Sequence, residues 1–537
     1  MSRRTLLAGV VTAWVADLGL PGGTLLRTTA EEGTSEAKKP DLVLKVGKRP
    51  NGQDDHAEPN SRVDAPLDSV REVLFSPDGK TLAVRGEPGD PAASRTIHLV
   101  DLARRTAIEW DVGTTSLAGM CFSPDGRWLA ASGSEVDRGI DVWSMAAGKS
   151  VASFAGGIGR PVFLEDSATL AIRAPAGAGD VVRWNRAETG EESRRFPTPV
   201  AYAAELAPSG ELMVATSRFN DATLRLIDVA TGRERHRLRG GEGQPGIIRF
   251  APDSRTLAAA YLDGSIVLWE VATGEIVLTR PSSTRILAAT FSPDEIYLAL
   301  GEKDGTLRVL EVGTGREMLR WKAHSGAVSS VAFSPDGRQL ATGSLDRTAI
   351  VWGISGAIVP ADGATALTEL LRQQTWDELA AGSAGVAYGA MHRVRRTADS
   401  SFAWLLERVR RQIMPPERGR IEVLIRELDH PDSAIRHRAT EELKKLRELA
   451  RPTLTALVRQ SPSAEVRSRA RRILQWGDRT PRYLDSDIRR FHRVLHLIES
   501  HRGAESIALC ELIAREVPND ELRRNATRTL MTLKRLR

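Results

Sequence analysis

Only two cysteines occur in the 537 residues, Cys121 and Cys510, almost 400 positions apart. That excludes a disulfide framework and a cysteine-based zinc site. Aromatic residues are few, at 5%, and beyond the N-terminus no apolar run approaches the roughly 18 residues of a membrane-spanning helix. GxSxG, HExxH, an EF-hand loop and the kinase HRD and DFG signatures are all absent. Gly148-Lys149-Ser150 ends like a phosphate loop, but Trp143 stands where the first glycine belongs, so it reads as a hairpin turn. These gaps point away from catalysis, and the expectation is a non-enzyme without cofactor or bound metal, with a propeller enzyme as the alternative.

Charge is unevenly spread. Residues 357–537 carry 34 Lys and Arg against 24 Asp and Glu, a net of +10, whereas residues 1–356 sum to −4. A boundary is therefore expected near 357. A basic half could bind nucleic acid or an anionic polymer by counterion release. Its arginines are interleaved with acids, however, and a solvated basic surface serves as well.

At the N-terminus, Arg3-Arg4 precedes the apolar stretch Leu6–Ala16. This is the order of an export signal, and residues 1–30 are assigned to it, which predicts a periplasmic or envelope location with a cytoplasmic one as the alternative. Residues 31–69 read as a linker.

What is abundant is repetition. FSPDG occurs at Phe75, Phe122 and Phe333, and four weaker copies start at Phe163, Leu206, Phe250 and Phe291, so successive starts are 41 to 47 residues apart. Ser-Pro-Asp-Gly suits a tight turn between strands. Apolar runs such as Ile266-Val267-Leu268-Trp269 read as strands buried on both faces, and Ala-Thr-Gly or Gly-Thr-Gly marks a second turn. Four strands per unit, repeated seven times, predict an all-β seven-bladed propeller over 70–356. The last unit lacks its outer strand, and residues 41–46 are expected to supply it and close the ring, because an open ring exposes two sheet edges.

These residues resemble the WD-repeat family. The closest copy is the last, from Ala323-His324 to Ile350-Val351-Trp352. The resemblance implies a hydrogen-bonded tetrad of His324, Thr342, Asp346 and Trp352. Trp143, Trp184 and Trp269 are placed at the tryptophan position, and Leu99 or Val100, Ile227 and Leu310 replace it elsewhere. The residue before the turn aspartate often lies on the family's binding face. That nominates Val136, Asn220, Leu262, Lys303 and Leu345, with other proteins as partners.

From Ala366 the period becomes helical. A helical linker subdomain is expected over 357–416. Over 417–537 the aliphatic-Arg pairs Ile435-Arg436, Val466-Arg467 and Leu522-Arg523, each followed by an alanine, resemble HEAT-type repeats. His492 and His496 sit one turn apart, a spacing that can bind metal, but Arg493 stands where a zinc protease needs glutamate, and they read as the flank of a core face of Phe491, Val494, Leu495 and Ile498. The full order, export segment, propeller and helical tail, resembles multidomain WD-repeat proteins of large-genome bacteria, for which a scaffold or adaptor role is implied.

Overall fold

In a computed structural model the described residues are 42–45 and, apart from short stretches, 69–354 and 367–535. The export-like segment 1–30 lies outside them. Seven four-stranded antiparallel sheets form seven blades: β2–β5 (within 69–111), β6–β9 (within 117–154), β10–β13 (within 158–198), β14–β17 (within 203–238), β18–β21 (within 245–280), β22–β25 (within 286–322), and a last blade of β26 (Val328–Phe333), β27 (Gln339–Ser344), β28 (Thr348–Gly353) and β1 (Leu42–Lys45). The early segment closes the ring as expected, with Leu42 opposite Val351 and Lys45 opposite Thr348.

The first turn of each blade explains its sequence. Ser76 Oγ donates to Asp78 Oδ1 at 2.6 Å, that oxygen accepts from the Lys80 amide at 3.0 Å, and the amide of Gly79, at φ +71°, returns to the Ser76 carbonyl at 2.8 Å. The serine–aspartate bond recurs at Ser123–Asp125, Ser292–Asp294 and Ser334–Asp336. Glycine suits the fourth position because its φ is positive. Ser167, Ser254 and Glu295 replace it and still adopt φ of 58° to 64°. A non-glycine residue there costs about 1–2 kcal/mol.

Register corrects one expectation. Leu340 faces Trp352, and the matching leucines Leu129 and Leu257 face Trp143 and Trp269. In the third blade Leu170 faces Asn185, so Asn185 holds the tryptophan position and Trp184 is one residue off, on the other face of the strand, edge-on to Phe196 at 5.1 Å. In the first blade Leu82 faces Val100, which selects Val100 over Leu99.

The tail is all-α. Among the described residues it comprises α1 (Glu369–Leu379), α2 (Ala384–Arg395), α3 (Asp399–Ile413), α4 (Glu417–Glu427), α5 (Ser433–Lys445), α6 (Arg447–Gln460), α7 (Ala464–Gln475), α8 (Asp485–Glu499), α9 (Ala504–Glu516) and α10 (Asp520–Arg535). None is long and apolar enough to cross a membrane.

The cores group these helices differently from the expected halves 357–416 and 417–537. Helices α4 to α7 enclose a core of their own, with Ala439, Leu443, Ala470 and Ile473 fully buried. There Arg436 donates to the carbonyls of His430 and Pro431, both at 2.7 Å, and Arg467 donates to those of Ser461 and Pro462 at 2.7 and 2.9 Å, so the two repeats match bond for bond. Helices α8 to α10 instead join α1 to α3 in one apolar core with the fifth and sixth blades: Phe491, Val494, Leu495 and Ile498 pack in the cluster that holds Leu268, Leu298 and Val312. The physical reason is the wide apolar face of α8, which needs more than a helix pair to cover it.

Candidate interaction faces of the propeller

Each blade has two ends. Turns joining its first to second and third to fourth strands lie at one end, here the lower face; the second-to-third turn and the link to the next blade lie at the upper face.

The tail occupies the lower face. Arg493, 1% exposed, is held by both oxygens of Glu270 at 2.8 Å and donates to the carbonyls of Leu379 and Ala381 at 2.9 and 2.7 Å. Glu270 ends β20 (Ile266–Glu270), so this ion pair ties α8 and the end of α1 to the fifth blade. His392 of α2 reaches Glu311 at 2.9 Å, the Tyr388 and Thr256 hydroxyls meet at 2.8 Å, Arg255 donates to Thr529 at 2.8 Å, and Arg528 pairs with Glu211 in the fourth blade. The guanidinium groups of Arg408 and Arg490 stand over the Trp376 ring, 4.9 and 4.3 Å from its centre.

His492 and His496 do not share a ligand position. His492 Nδ1 lies 3.2 Å from the Asn525 amide. His496 Nε2 lies 3.0 Å from Asp253 Oδ2 and 2.6 Å from Glu295 Oε2, a trio of donor types able to hold a cation. The charge there is already balanced: Arg395 stands 3.6 Å from Glu295, and Arg255 acts on Asp253. Burial, followed by the Glu295 charge, pushes the Asp253 carboxyl up. The fit is to an ion-pair cluster pinning α8 to two adjacent blades. Glu295, in the slot that glycine fills elsewhere, is the residue sequence reasoning passed over; its departure from FSPDG was the available signal.

The upper face carries the nominated residues. Leu262 and Leu345 are 43% and 41% exposed, and Lys303 is exposed. Their amides donate to the carbonyls of Gln244, Ala327 and Arg285, so three turns are anchored alike. Val136 and Asn220 lie outside the described residues. Below Leu345, His324 Nε2 lies 2.7 Å from Thr342 Oγ1, which accepts from Trp352 Nε1 at 2.9 Å, while His324 Nδ1 is 3.3 Å from Asp346 Oδ2 and 2.8 Å from Thr348 Oγ1. Burial pushes the Asp346 carboxyl up, but hydrogen bonds from His324 and Thr348 outweigh it and hold the group well below the usual carboxylate range. Gly305, at φ +91°, allows the sixth blade's turn to approach this one, since a Cβ there would lie 2.3 Å from the His324 carbonyl oxygen.

Gly148, at φ +64°, sits in the turn between β8 (Ile140–Ser144) and β9 (Lys149–Phe154), so Gly148-Lys149-Ser150 is part of a hairpin. The Cys121 thiol is pushed up to about 12, chiefly by burial, and is unsuited to nucleophilic work at neutral pH.

A model of the WD domain, G-beta repeat, matches residues 111–144, 236–270 and 315–353. The chain is 32% identical over 98 residues to the serine-threonine kinase receptor-associated protein of Gallus gallus, a match covering 18% of this chain and 27% of that protein. It is 29% identical over 118 residues to Protein HIR1 of Kluyveromyces lactis, covering 20% of this chain and 10% of the relative. Protein HIR1 of Yarrowia lipolytica is 49% identical over 45 residues, 8% of this chain and 4% of the relative. The chain thus spans about a quarter or less of these relatives.

Proposed function

The ring is a propeller of WD40 repeats, and from that premise we propose that the protein is a non-enzymatic interaction scaffold that receives a protein partner on the upper face of its propeller. The observation that carries the reading is the division between faces. Helices α1 to α3 and α8 to α10 cover the lower face at the fourth to sixth blades, while Leu262, Lys303 and Leu345 stand exposed on the upper one. Rigid turns displaying apolar and cationic side chains suit recognition with little ordering cost. The receptor association named for one relative belongs to that protein. The export-like N-terminus directs the search for partners to the cell envelope.

The test is capture of native partners by the full chain with Leu262→Glu, Lys303→Glu and Leu345→Glu combined, against Ile108→Glu on an outer strand as control. Loss of the partners bound by the wild type, with the control unchanged, is expected; retention of all of them refutes the upper-face assignment. In the basic tail, Arg420, Arg438 and Arg469 are paired with Glu442, Glu427 and Glu465, which lowers the charge these arginines offer to an anion.

A further inference from the structure

The central channel is a cavity of 410 Å³ lined mainly by the first strands of several blades. Those strands carry register irregularities at corresponding places, between Val70 and Glu72, Ile286 and Ala288, and Val328 and Ser330, so the ladder skips Arg71, Leu287 and Ser329, which line the channel. Four arginines line it, Arg71, Arg85, Arg160 and Arg249, against one carboxylate, Glu72; Glu205 reaches Arg249 from the neighbouring strand.

The charges of Arg160 and Arg249 are loosely met. Arg160 and Arg85 both stand 3.5 Å from Glu72, and Arg249 stands 3.5 Å from Glu205. The buried pairs Arg308–Glu317, Arg173–Asp180 and Arg493–Glu270 close to 2.7–2.8 Å by contrast, the length of a charge-assisted hydrogen bond. Glu72 is divided further, since it also accepts from the Met120 amide at 3.1 Å. Among the described residues the remaining hydrogen bonds of Arg160 and Arg249 go to single backbone carbonyls, Met120 at 3.3 Å and Ile248 at 2.7 Å, although each guanidinium carries five N–H donors.

The fold makes room for this arrangement. A Cβ on Gly119 would lie 3.0 Å from Arg160 Cγ, so glycine lets the arginine stem cross the neighbouring blade. Burial, opposed by Glu205, together with the charge of Arg160, leaves the Arg249 guanidinium below the usual arginine range. Two like charges are thus kept together in a site that a bound anion would relieve.

We propose that the channel is a binding site for a small multivalent oxyanion of the oligophosphate class, held by Arg160 and Arg249. The planar fork of arginine matches phosphate oxygens two at a time, and the cavity is of a size that encloses small ligands. The anion enters between the two guanidinium groups and leaves Glu72 to the Met120 amide and Arg85. This site is separate from the upper-face reading, since it uses none of Leu262, Lys303 and Leu345.

The experiment is calorimetric titration of the full chain with sodium tripolyphosphate at constant ionic strength. Saturable binding at one site is expected. In Arg160→Gln/Arg249→Gln it weakens at least about tenfold, as expected when hydrogen bonds to charged groups are lost. Arg471→Gln/Arg472→Gln on α7 leaves it unchanged. Should the glutamine variant fail to fold, Arg160→Lys/Arg249→Lys keeps charge but loses the fork, and a severalfold weakening with an unchanged circular-dichroism spectrum is expected. Absence of saturable binding at millimolar tripolyphosphate, binding unaltered in both channel variants, or binding lost in the α7 variant would each overturn the proposal.

Discussion

The seventh blade and the fifth are built on the same strand pattern and stabilised by opposite means. In the seventh, His324, Thr342, Asp346 and Trp352 form a polar network inside one blade. In the fifth, Trp269 occupies the position of Trp352, but Ala259 stands in the adjacent strand where Thr342 supplies the hydroxyl in the seventh, and Leu262 precedes a turn with no histidine beneath it. That blade is held from outside: Glu270 grips Arg493, Asp253 grips His496 together with Glu295 of the sixth blade, and apolar side chains of α8 complete its core. One blade completes its hydrogen bonds alone. The other exchanges that independence for a docked helix, so the tail is part of the propeller's stability at the fourth to sixth blades.

Breaking the external anchor should have the largest effect. Arg493→Ala leaves Glu270 buried without its partner, and a loss of about 3–5 kcal/mol in denaturant unfolding is expected. Arg493→Met with Glu270→Leu should recover most of it, because apolar residues can replace a buried ion pair at little cost. Breaking the internal network should cost less: Thr342→Val removes the acceptor shared by His324 and Trp352, about 1–3 kcal/mol by the same measurement. If the two changes had equal effects on the exchange of α8 amides, the contrast between blades would fail.

Glu295→Gly sharpens the comparison further. It relieves a positive φ worth about 1–2 kcal/mol and removes the His496 contact, so the net change should be small while the docking of α8 weakens. A thermal scan paired with amide exchange in α8 separates the two effects.

The pH dependence should divide the same way. The Asp346 carboxyl is lowered in the fold, so its stabilising contribution is present above the unfolded value of 3.8 and is lost as pH falls below it. The Asp253 carboxyl is raised, so its contribution is fully present below 3.8 and is lost as pH rises toward the folded value. Asp346→Asn should flatten the acid limb of the stability curve, and Asp253→Asn should flatten the opposing one; urea titrations between pH 3 and 7 check both, in the range set by ordinary carboxylates.

The ring was legible because its signals are local. Ser-Pro-Asp-Gly fixes a turn within four residues, and the missing outer strand of the last unit pointed to the apolar segment 41–46, of which Leu42–Lys45 form the closing strand. Trp184 misled because two adjacent polar-capable residues, Trp184 and Asn185, could each fill one slot, and only pairing with Leu170 decides between them. Docking of the tail was illegible because it joins residues more than 200 positions apart, such as Glu270 and Arg493, and neither carries a motif. The matched bonds of Arg436 and Arg467 had a sequence trace in the proline five residues earlier, Pro431 and Pro462, that the aliphatic-Arg spacing alone does not include. The nominated upper-face residues came from family resemblance, and exposure and shared anchoring are what the fold adds to them.

The most direct test of the account is native-state hydrogen exchange on the full chain, comparing wild type with Arg493→Ala. If the outer helices and the fifth and sixth blades are one unit, protection should fall together in β18–β25, α1 to α3 and α8 to α10, while the seventh blade and α4 to α7 keep theirs. Loss confined to α8, with the blades unchanged, would contradict the claim that the tail completes the propeller.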